Sequence, residues 1–172
     1  MIFLTIGTHE PFPRLVRAVD AWCAASGHGG DLFGQITDQG AAAYTPGNFK
    51  WVGRLTPQEY GDRISRADLI ISHAGMGSII TALQLGKPIV VLPRRGHLRE
   101  TRNDHQYATV QRLGNRPGIF VAEDETRLPV VLDQAVSGLA GAGGIGISRV
   151  AEPRLTMAIG RFLAGKPLPE KS

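Results

Sequence analysis

Two short runs, Leu69-Ile-Ile-Ser72 and Ile89-Val-Val-Leu92, are apolar almost without a break. A strand with one wetted face alternates polar and apolar residues. A continuous run rich in β-branched side chains suits a strand covered on both faces, which is the habit of parallel sheets. Between the two, Gly77 to Leu85 carries helical pattern, Gly86 supplies a stop, and Pro88 follows it. Strand, helix and strand in this order constrain the chain to a layered α/β architecture.

The same alternation runs along the rest of the chain. Phe3 to Ile6 is predicted as a first strand, and Phe12 to Ala25 as a helix with Leu15, Val16, Val19 and Trp22 on one face. Asp31 to Thr37 and Phe49 to Val52 read as short strands. Thr56-Pro57-Gln58-Glu59 combines an N-cap threonine, proline at the first helical position and glutamate at the third, starting a helix that runs to about Arg66. Further helices are expected over Asn103–Leu113, with Asn103 as cap, and over Asp124–Val136, with a strand at Gly118–Val121 between them. A glycine-rich linker at about 138–148 and an amphipathic helix at about 149–164 complete the pattern. We expect one domain over residues 1–172, built on a doubly wound, parallel, Rossmann-like sheet that binds ligands at the carboxyl ends of its strands.

Composition narrows the class. With 172 residues, 42% of them apolar and 20% charged, the chain is long enough for one full core and is not of disordered character. No run approaches the length of a bilayer span, and no basic, apolar leader opens the sequence. The single cysteine, Cys23, excludes an internal disulfide framework and sits in an amphipathic helix, where buried packing is expected. These features point to the cytoplasm. The net charge of +4 comes mostly from arginine, whose fork suits phosphate and carboxylate oxygens. No basic stripe interleaved with aromatics is present, so nucleic acid is not expected as a partner.

Three constellations fall at predicted strand ends. The first is His73-Ala-Gly-Met-Gly-Ser78, where a strand enters a glycine turn that opens a helix. Unpaired amides and the positive helix end suit a phosphate or pyrophosphate. The turn is neither a dinucleotide fingerprint nor a P-loop, and close packing of helix on strand calls for the same glycines. His73 is suited to a sugar or phosphate oxygen, or to a packed core position. Ser78 is suited to a phosphate contact or a helix cap. The second is Asn103-Asp-His-Gln106, able to reach ligand hydroxyls or to serve as a solvated helix start. Before it, Arg94, Arg95, Arg99 and Arg102 form a cluster suited to clamping phosphates or an acidic sugar, or to a solvated loop. The third is Gly7-Thr8-His9-Glu10, in which Gly7 permits close ligand approach and His9 and Glu10 could act in acid–base chemistry. Its plainer reading is a turn capping the helix that starts near Pro13. No nucleophilic triad, metal-ligand spacing or P-loop lysine is present.

Taken in order, Gly7-Thr-His-Glu10, Phe33-Gly-Gln-Ile36, Ile71-Ser-His-Ala-Gly-Met-Gly-Ser78, Leu85-Gly-Lys-Pro88, Pro93-Arg-Arg95, Glu100 and Arg102-Asn-Asp-His-Gln106 resemble the C-terminal, donor-binding half of family 28 glycosyltransferases, the group containing the peptidoglycan enzyme MurG. The likeness covers roughly residues 1–135 and is strongest to the short, PssE-type subunits of split glycosyltransferases in exopolysaccharide and capsule synthesis. It implies one half of a GT-B fold binding a UDP-sugar donor, with no cofactor or metal. By the resemblance, Gly75, Met76, Gly77 and Ser78 hold the diphosphate; Gly7, Thr8 and His73 are further candidates for the donor-binding site. Gln106 contacts the donor sugar, and Leu55-Thr56-Pro57 lies against the uracil. Thr81 falls where relatives carry an acidic residue for the ribose hydroxyls.

No acceptor-binding domain is evident, so the resemblance implies a partner: a membrane-associated, PssD-like subunit that holds a lipid-linked saccharide and recruits this chain to the inner face of the membrane. The expected reaction moves a sugar from UDP-sugar to that saccharide with inversion, and only in the presence of the partner. His9 is the local candidate for general base, with a base on the partner as the other option. Were the donor a glucuronate, Arg94, Arg95 or Arg99 would suit its carboxylate. Two other readings are a non-catalytic accessory subunit that enhances a partner transferase, and a UDP-sugar epimerase or hydrolase.

Overall fold

Apart from two successive strands, Leu32–Gln35 and Lys50–Val52, strand and helix alternate in the computed structural model, which describes residues 1–8, 10–37, 44–102, 105–113 and 116–139. The elements are β1 (Ile2–Thr5), α1 (Pro13–Ser26), β2 (Leu32–Gln35), β3 (Lys50–Val52), α2 (Pro57–Arg66), β4 (Leu69–His73), α3 (Met76–Gln84), β5 (Ile89–Leu92), α4 (His105–Leu113), β6 (Ile119–Val121) and α5 (Leu128–Gly138). The six strands form one sheet in the order β3-β2-β1-β4-β5-β6, and every pair is parallel. The chain steps outward from β1 to β3, then returns to lay β4 on the free side of β1, with Leu4 opposite both Gly34 and Ile71. Such a reversal leaves a crevice at the carboxyl ends of the two central strands, where open α/β sheets bind their ligands.

Both faces of the sheet are covered, which explains the uninterrupted apolar runs. Leu4, Leu69, Ile71, Val90 and Leu92 pack with Leu15, Val19 and Trp22 of α1 and Leu128 and Leu132 of α5. Phe3, Ile70, Ile89 and Val91 pack on the other side with Ile64 of α2, Ile79 and Leu83 of α3 and Val110 of α4. Ile70, Ile71, Val90 and Leu92 have no exposed surface, and burial of each such side chain stabilises by about 1.5–3 kcal/mol. Trp22 adds a polar link between two helices on one face, its indole N–H donating to Asp133 Oδ1 at 2.8 Å.

Local chemistry sets the element ends. The capping box at α2 forms as expected: Thr56 Oγ1 accepts the Glu59 amide at 3.3 Å and the Glu59 carboxylate accepts the Thr56 amide at 2.8 Å. Gly27 ends α1 in the left-handed region at φ 77°, its amide returning to the Cys23 carbonyl. The last helix differs from expectation, starting at Leu128 rather than Asp124. Asp124 Oδ1 accepts the amides of Thr126 (2.9 Å) and Arg127 (3.0 Å), so the aspartate closes a side-chain turn ahead of the helix. β2 is likewise shorter than expected, because His28–Asp31 form a 3₁₀ turn. Cys23 is buried, and burial together with the nearby Asp20 charge pushes its thiol up to about 12, leaving it a packing residue. The proposed linker beyond Leu139, the helix at about 149–164 and the cap at Asn103 lie outside the described residues. Among the described residues no helix is long and apolar enough to cross a membrane.

One buried carboxylate fastens the segment ahead of β3 to α1. Asp20, 4% exposed, accepts the Tyr44 hydroxyl (2.6 Å) and the amides of Gly47 (3.3 Å) and Asn48 (2.8 Å). Arg17 lies over the Tyr44 ring at 4.4 Å. Burial by itself would raise the Asp20 carboxyl; the bonds from Tyr44, Asn48 and Gly47 outweigh it and hold the group below its usual range. Its contribution to stability is therefore full above the unfolded-state value of about 4 and is lost as pH falls through the lower folded-state value. Replacement by Asp20→Asn should lower stability at neutral pH by about 1–3 kcal/mol. Thermal melts of the two proteins should converge as the pH is taken below that range.

Candidate functional site

β4 ends at His73, and the next two residues shape the turn into α3. Gly75 is the N-cap of α3, with φ −82° and ψ 134°, and no side chain caps the helix. A Cβ at Gly75 would overlap Nε2 of the His73 imidazole, so no larger residue fits beside that ring. Gly7, just past β1 and in the left-handed region at φ 81°, also adjoins the ring; a Cβ there would come within 3.3 Å of His73 Cε1. The imidazole thus abuts both turns that leave the two central strands. Ser72 Oγ lies 3.3 Å from its Nδ1. Burial, then the charges of Arg94 and His105, lower the His73 pKa to about 4, so the ring is neutral at physiological pH.

The start of α3 is open. The Gly75 carbonyl accepts the Ile79 amide at 3.2 Å, so Met76, Gly77 and Ser78 precede the first residue whose amide has an acceptor within the helix. A Cβ at Gly77 would meet nothing within 4 Å, and Met76 is 46% exposed. Ser78 is the third helical residue and not the cap. Thr81, one turn on, donates its hydroxyl back to the Gly77 carbonyl at 2.8 Å, which leaves its oxygen lone pairs as acceptors only. This end of the helix presents main-chain donors and positive potential.

Beside it lies a cleft of about 680 Å³, walled by Gly7 and Thr8 on one side and by Leu55, Thr56, Pro57 and Tyr60 on the other. Gln35, at the end of β2, accepts the Leu55 amide at 3.2 Å and so holds the turn that leads into α2. The Thr56 hydroxyl is engaged with the Glu59 carboxylate at 2.7 Å. What Thr56 brings to the cleft is its main chain and its place at the head of α2. Gly7 borders both the cleft and the His73 turn, so the two form one continuous surface along the carboxyl edge of the sheet.

The arginines are arranged differently from expectation. Arg94 is 2% exposed and turns inward. Its Nη1 donates to the carbonyls of Pro11 and Glu100, and its Nη2 to those of Ile6 (3.0 Å) and Glu10 (2.7 Å). The guanidinium also lies over the Phe12 ring at 4.5 Å. With four carbonyls already on its fork, it is not a clamp for ligand phosphates or a sugar carboxylate. The Arg94 amide donates to Gln106 Oε1 at 3.1 Å, which draws the buried Gln106 from α4 to the carboxyl end of β5. Arg95 is half-buried, its Nη2 donating to the Glu123 carbonyl at 3.0 Å, while Arg99 and Arg102 are exposed.

A second, partly buried arginine escaped the sequence reading. Arg14 meets Glu100 in a two-pronged pair at 2.7 Å for each bond, and also reaches Glu125 at 2.9 Å and the Pro93 carbonyl at 2.9 Å. Burial would lower its proton affinity, but the bonds to Glu100 and Glu125 raise it overall. Nothing in the helical pattern of α1 separates Arg14 from the exposed Arg17 three residues on. Of the predicted site residues, Gly7, Thr8, His73, Gly75, Met76, Gly77 and Ser78 gather at one edge, Thr56 stands across the cleft, and Gln106 is held at the end of β5. Thr81 lies a turn down α3, and His9 falls outside the described residues.

A six-stranded parallel sheet in this order, with an open helix start at its point of reversal, has the architecture of one half of a GT-B glycosyltransferase. Residues 1–140 match the glycosyltransferase family 28 C-terminal domain, and the chain belongs to that family. A UDP-N-acetylglucosamine transferase subunit, ALG13, of Yarrowia lipolytica is 34% identical over 86 residues, a stretch that spans 47% of this chain and 41% of that protein. Among solved structures, the glycotransferase of kitacinnamycin aligns over 81% of this chain and 34% of its own length, with 26% identity and a TM-score of 0.52. The solution structure of ALG13 shares the fold over 94% of both chains, with 19% identity and a TM-score of 0.50.

The neutral imidazole makes a direct prediction. In a histidine NMR titration, the His73 ring resonances should stay unmoved from pH 8 down to about 5 and titrate near the lowered value of about 4. Because the unfolded chain takes up this proton near pH 6.5, stability should fall as pH drops from there towards the folded-state value. That slope should be absent in His73→Asn.

Proposed function

We propose that this chain is the donor-binding subunit of a two-chain glycosyltransferase that takes its sugar from a UDP-sugar. The observation that carries the reading is the open N-terminus of α3 at the strand-order reversal, next to a cleft sized for a nucleoside. In this reading the amides of Met76, Gly77 and Ser78 take the diphosphate, and the cleft at Leu55, Thr56 and Pro57 takes the base. Thr81 accepts from a ribose hydroxyl, and Gln106 faces the sugar. The Yarrowia relative, by name a subunit of a transferase acting with UDP-N-acetylglucosamine, supports a nucleotide sugar as donor and a second chain as partner.

The chemistry asked of these residues is electrostatic. As the glycosidic bond to the diphosphate breaks, negative charge grows on the leaving UDP, where fixed amides and the helix dipole stabilise it without reorganisation. Closure against a partner that carries the acceptor supplies the proximity. We assign that partner as a membrane-associated, PssD-like subunit presenting a lipid-linked saccharide for exopolysaccharide or capsule synthesis, with recruitment of this chain to the inner membrane face. The proton of the attacking hydroxyl goes to His9 or to a base on the partner. For a glucuronate donor, Arg95 and Arg99 are the arginines left to meet the carboxylate, since Arg94 is occupied.

Calorimetric titration of the chain with UDP tests the reading. Specific binding is expected, weakened by roughly tenfold or more in Gly77→Asp, which sets a carboxylate against the diphosphate. Absence of UDP binding by the wild-type chain, with stimulation of a partner transferase retained, would replace this reading by that of an accessory subunit.

A further inference from the structure

Arg94 follows β5 and occupies the space beneath the turn that leaves β1. Three of the four carbonyls on its guanidinium, those of Ile6, Glu10 and Pro11, belong to the connection between β1 and α1, on both sides of Thr8. The fourth is that of Glu100, on its own loop. Through its main-chain amide the same residue holds Gln106 of α4. These two attachments flank His73: Gly7 packs against the imidazole from the β1 side, and β5 adjoins β4 with Leu92 opposite His73.

The adjacent, partly buried arginine shows the contrast. Arg14 has its charge met by two carboxylates. Among the described residues Arg94 has no carboxylate within ion-pair distance, and its acceptors are main-chain carbonyls. A planar fork with divergent donors suits such a set, because it fixes the relative positions of the segments that supply the carbonyls. A lysine ammonium in its place is a single point and has no rigid fork to span the same acceptors.

We propose that Arg94 is the positioning residue of the donor site: its guanidinium fixes the chain on either side of Thr8 and its amide fixes Gln106, so that one residue aligns the two sides of the site around His73. The proposal rests on the donor-site reading given above and adds a determinant to it.

Two variants of the whole chain separate alignment from mere stability. Arg94→Lys keeps the charge and loses the fork; Asp20→Asn lowers stability at a place remote from the site. In ¹⁵N–¹H spectra of the free protein, the amides of Gly7 and Thr8 should move in R94K and stay in place in D20N. With UDP as the probe, R94K should bind about tenfold or more weakly, as expected for binding groups displaced by a fraction of an ångström to an ångström. D20N should bind within about twofold of wild type despite its lower melting temperature. Resonances that stay in place in R94K, or wild-type affinity for UDP in that variant, overturn the proposal. If the wild-type chain itself does not bind UDP, the donor reading falls, and the Gly7 and Thr8 resonances alone decide whether Arg94 aligns them. Should R94K not fold, the wild-type guanidinium decides: its Nη–H signals should shift on UDP addition together with those of Gly7 and Gln106, and UDP binding that leaves them unmoved overturns the idea.

Discussion

At the carboxyl ends of the central strands the hydrogen-bond ladder stops, and the chain must leave the sheet with its carbonyls still needing donors. An unpaired buried carbonyl costs about 1–3 kcal/mol, and the β1–α1 connection brings three such groups into one place. Arg94 meets them together, with the Glu100 carbonyl as a fourth acceptor. The rest of the edge depends on this interaction. With the inward-facing carbonyls satisfied by one side chain, the turn can run tightly past His73, and the outward-facing donors at the start of α3 stay uncapped. Acceptors are closed off within the protein and donors are left at its surface. That asymmetry is what the proposed binding of a diphosphate at this edge relies on.

The electrostatics at the α3 start point the same way as the proposed reading. The helix start contributes its dipole, and the buried guanidinium stands near enough to be felt at His73, whose proton affinity it lowers. A neutral imidazole beside the turn adds a polar ring without a carboxylate or ammonium to compete for ligand or solvent ions. In the proposed reading, a phosphate-bearing ligand would meet a surface built from main chain and held from behind. Pre-formed dipoles of this kind lose less on binding than mobile lysines would, because nothing has to be ordered when the ligand arrives.

Much of the fold was legible in the sequence because each strand and helix is locally consistent. Leu69–Ser72 and Ile89–Leu92 are continuous apolar runs because helices cover both faces of the sheet, and the Thr56–Glu59 box opens α2 as its pattern predicts. The errors have local causes. Asp124 satisfies amides in a turn instead of a helix, a choice that composition alone does not distinguish. The turn geometry at the candidate site was legible at Gly7 and Gly75, where glycine is required beside the His73 ring. The site was misread at Arg94, because charge near a strand end suggests solvent or ligand, whereas the direction of a side chain depends on carbonyls more than eighty residues away in sequence. Arg14 was missed for the same reason: its partners Glu100 and Glu125 come from two other connections.

The fit of the His73 ring against Gly7 and Gly75 has an evolutionary consequence. Where the imidazole is kept, a methyl group at position 75 collides with it, and at position 7 the left-handed backbone disfavours any side chain as well. Where a smaller side chain replaces the histidine, the restriction at position 75 lifts while the one at position 7 remains. Substitutions at 73 and 75 should therefore be inherited together, and those at 7 should be purged whatever stands opposite.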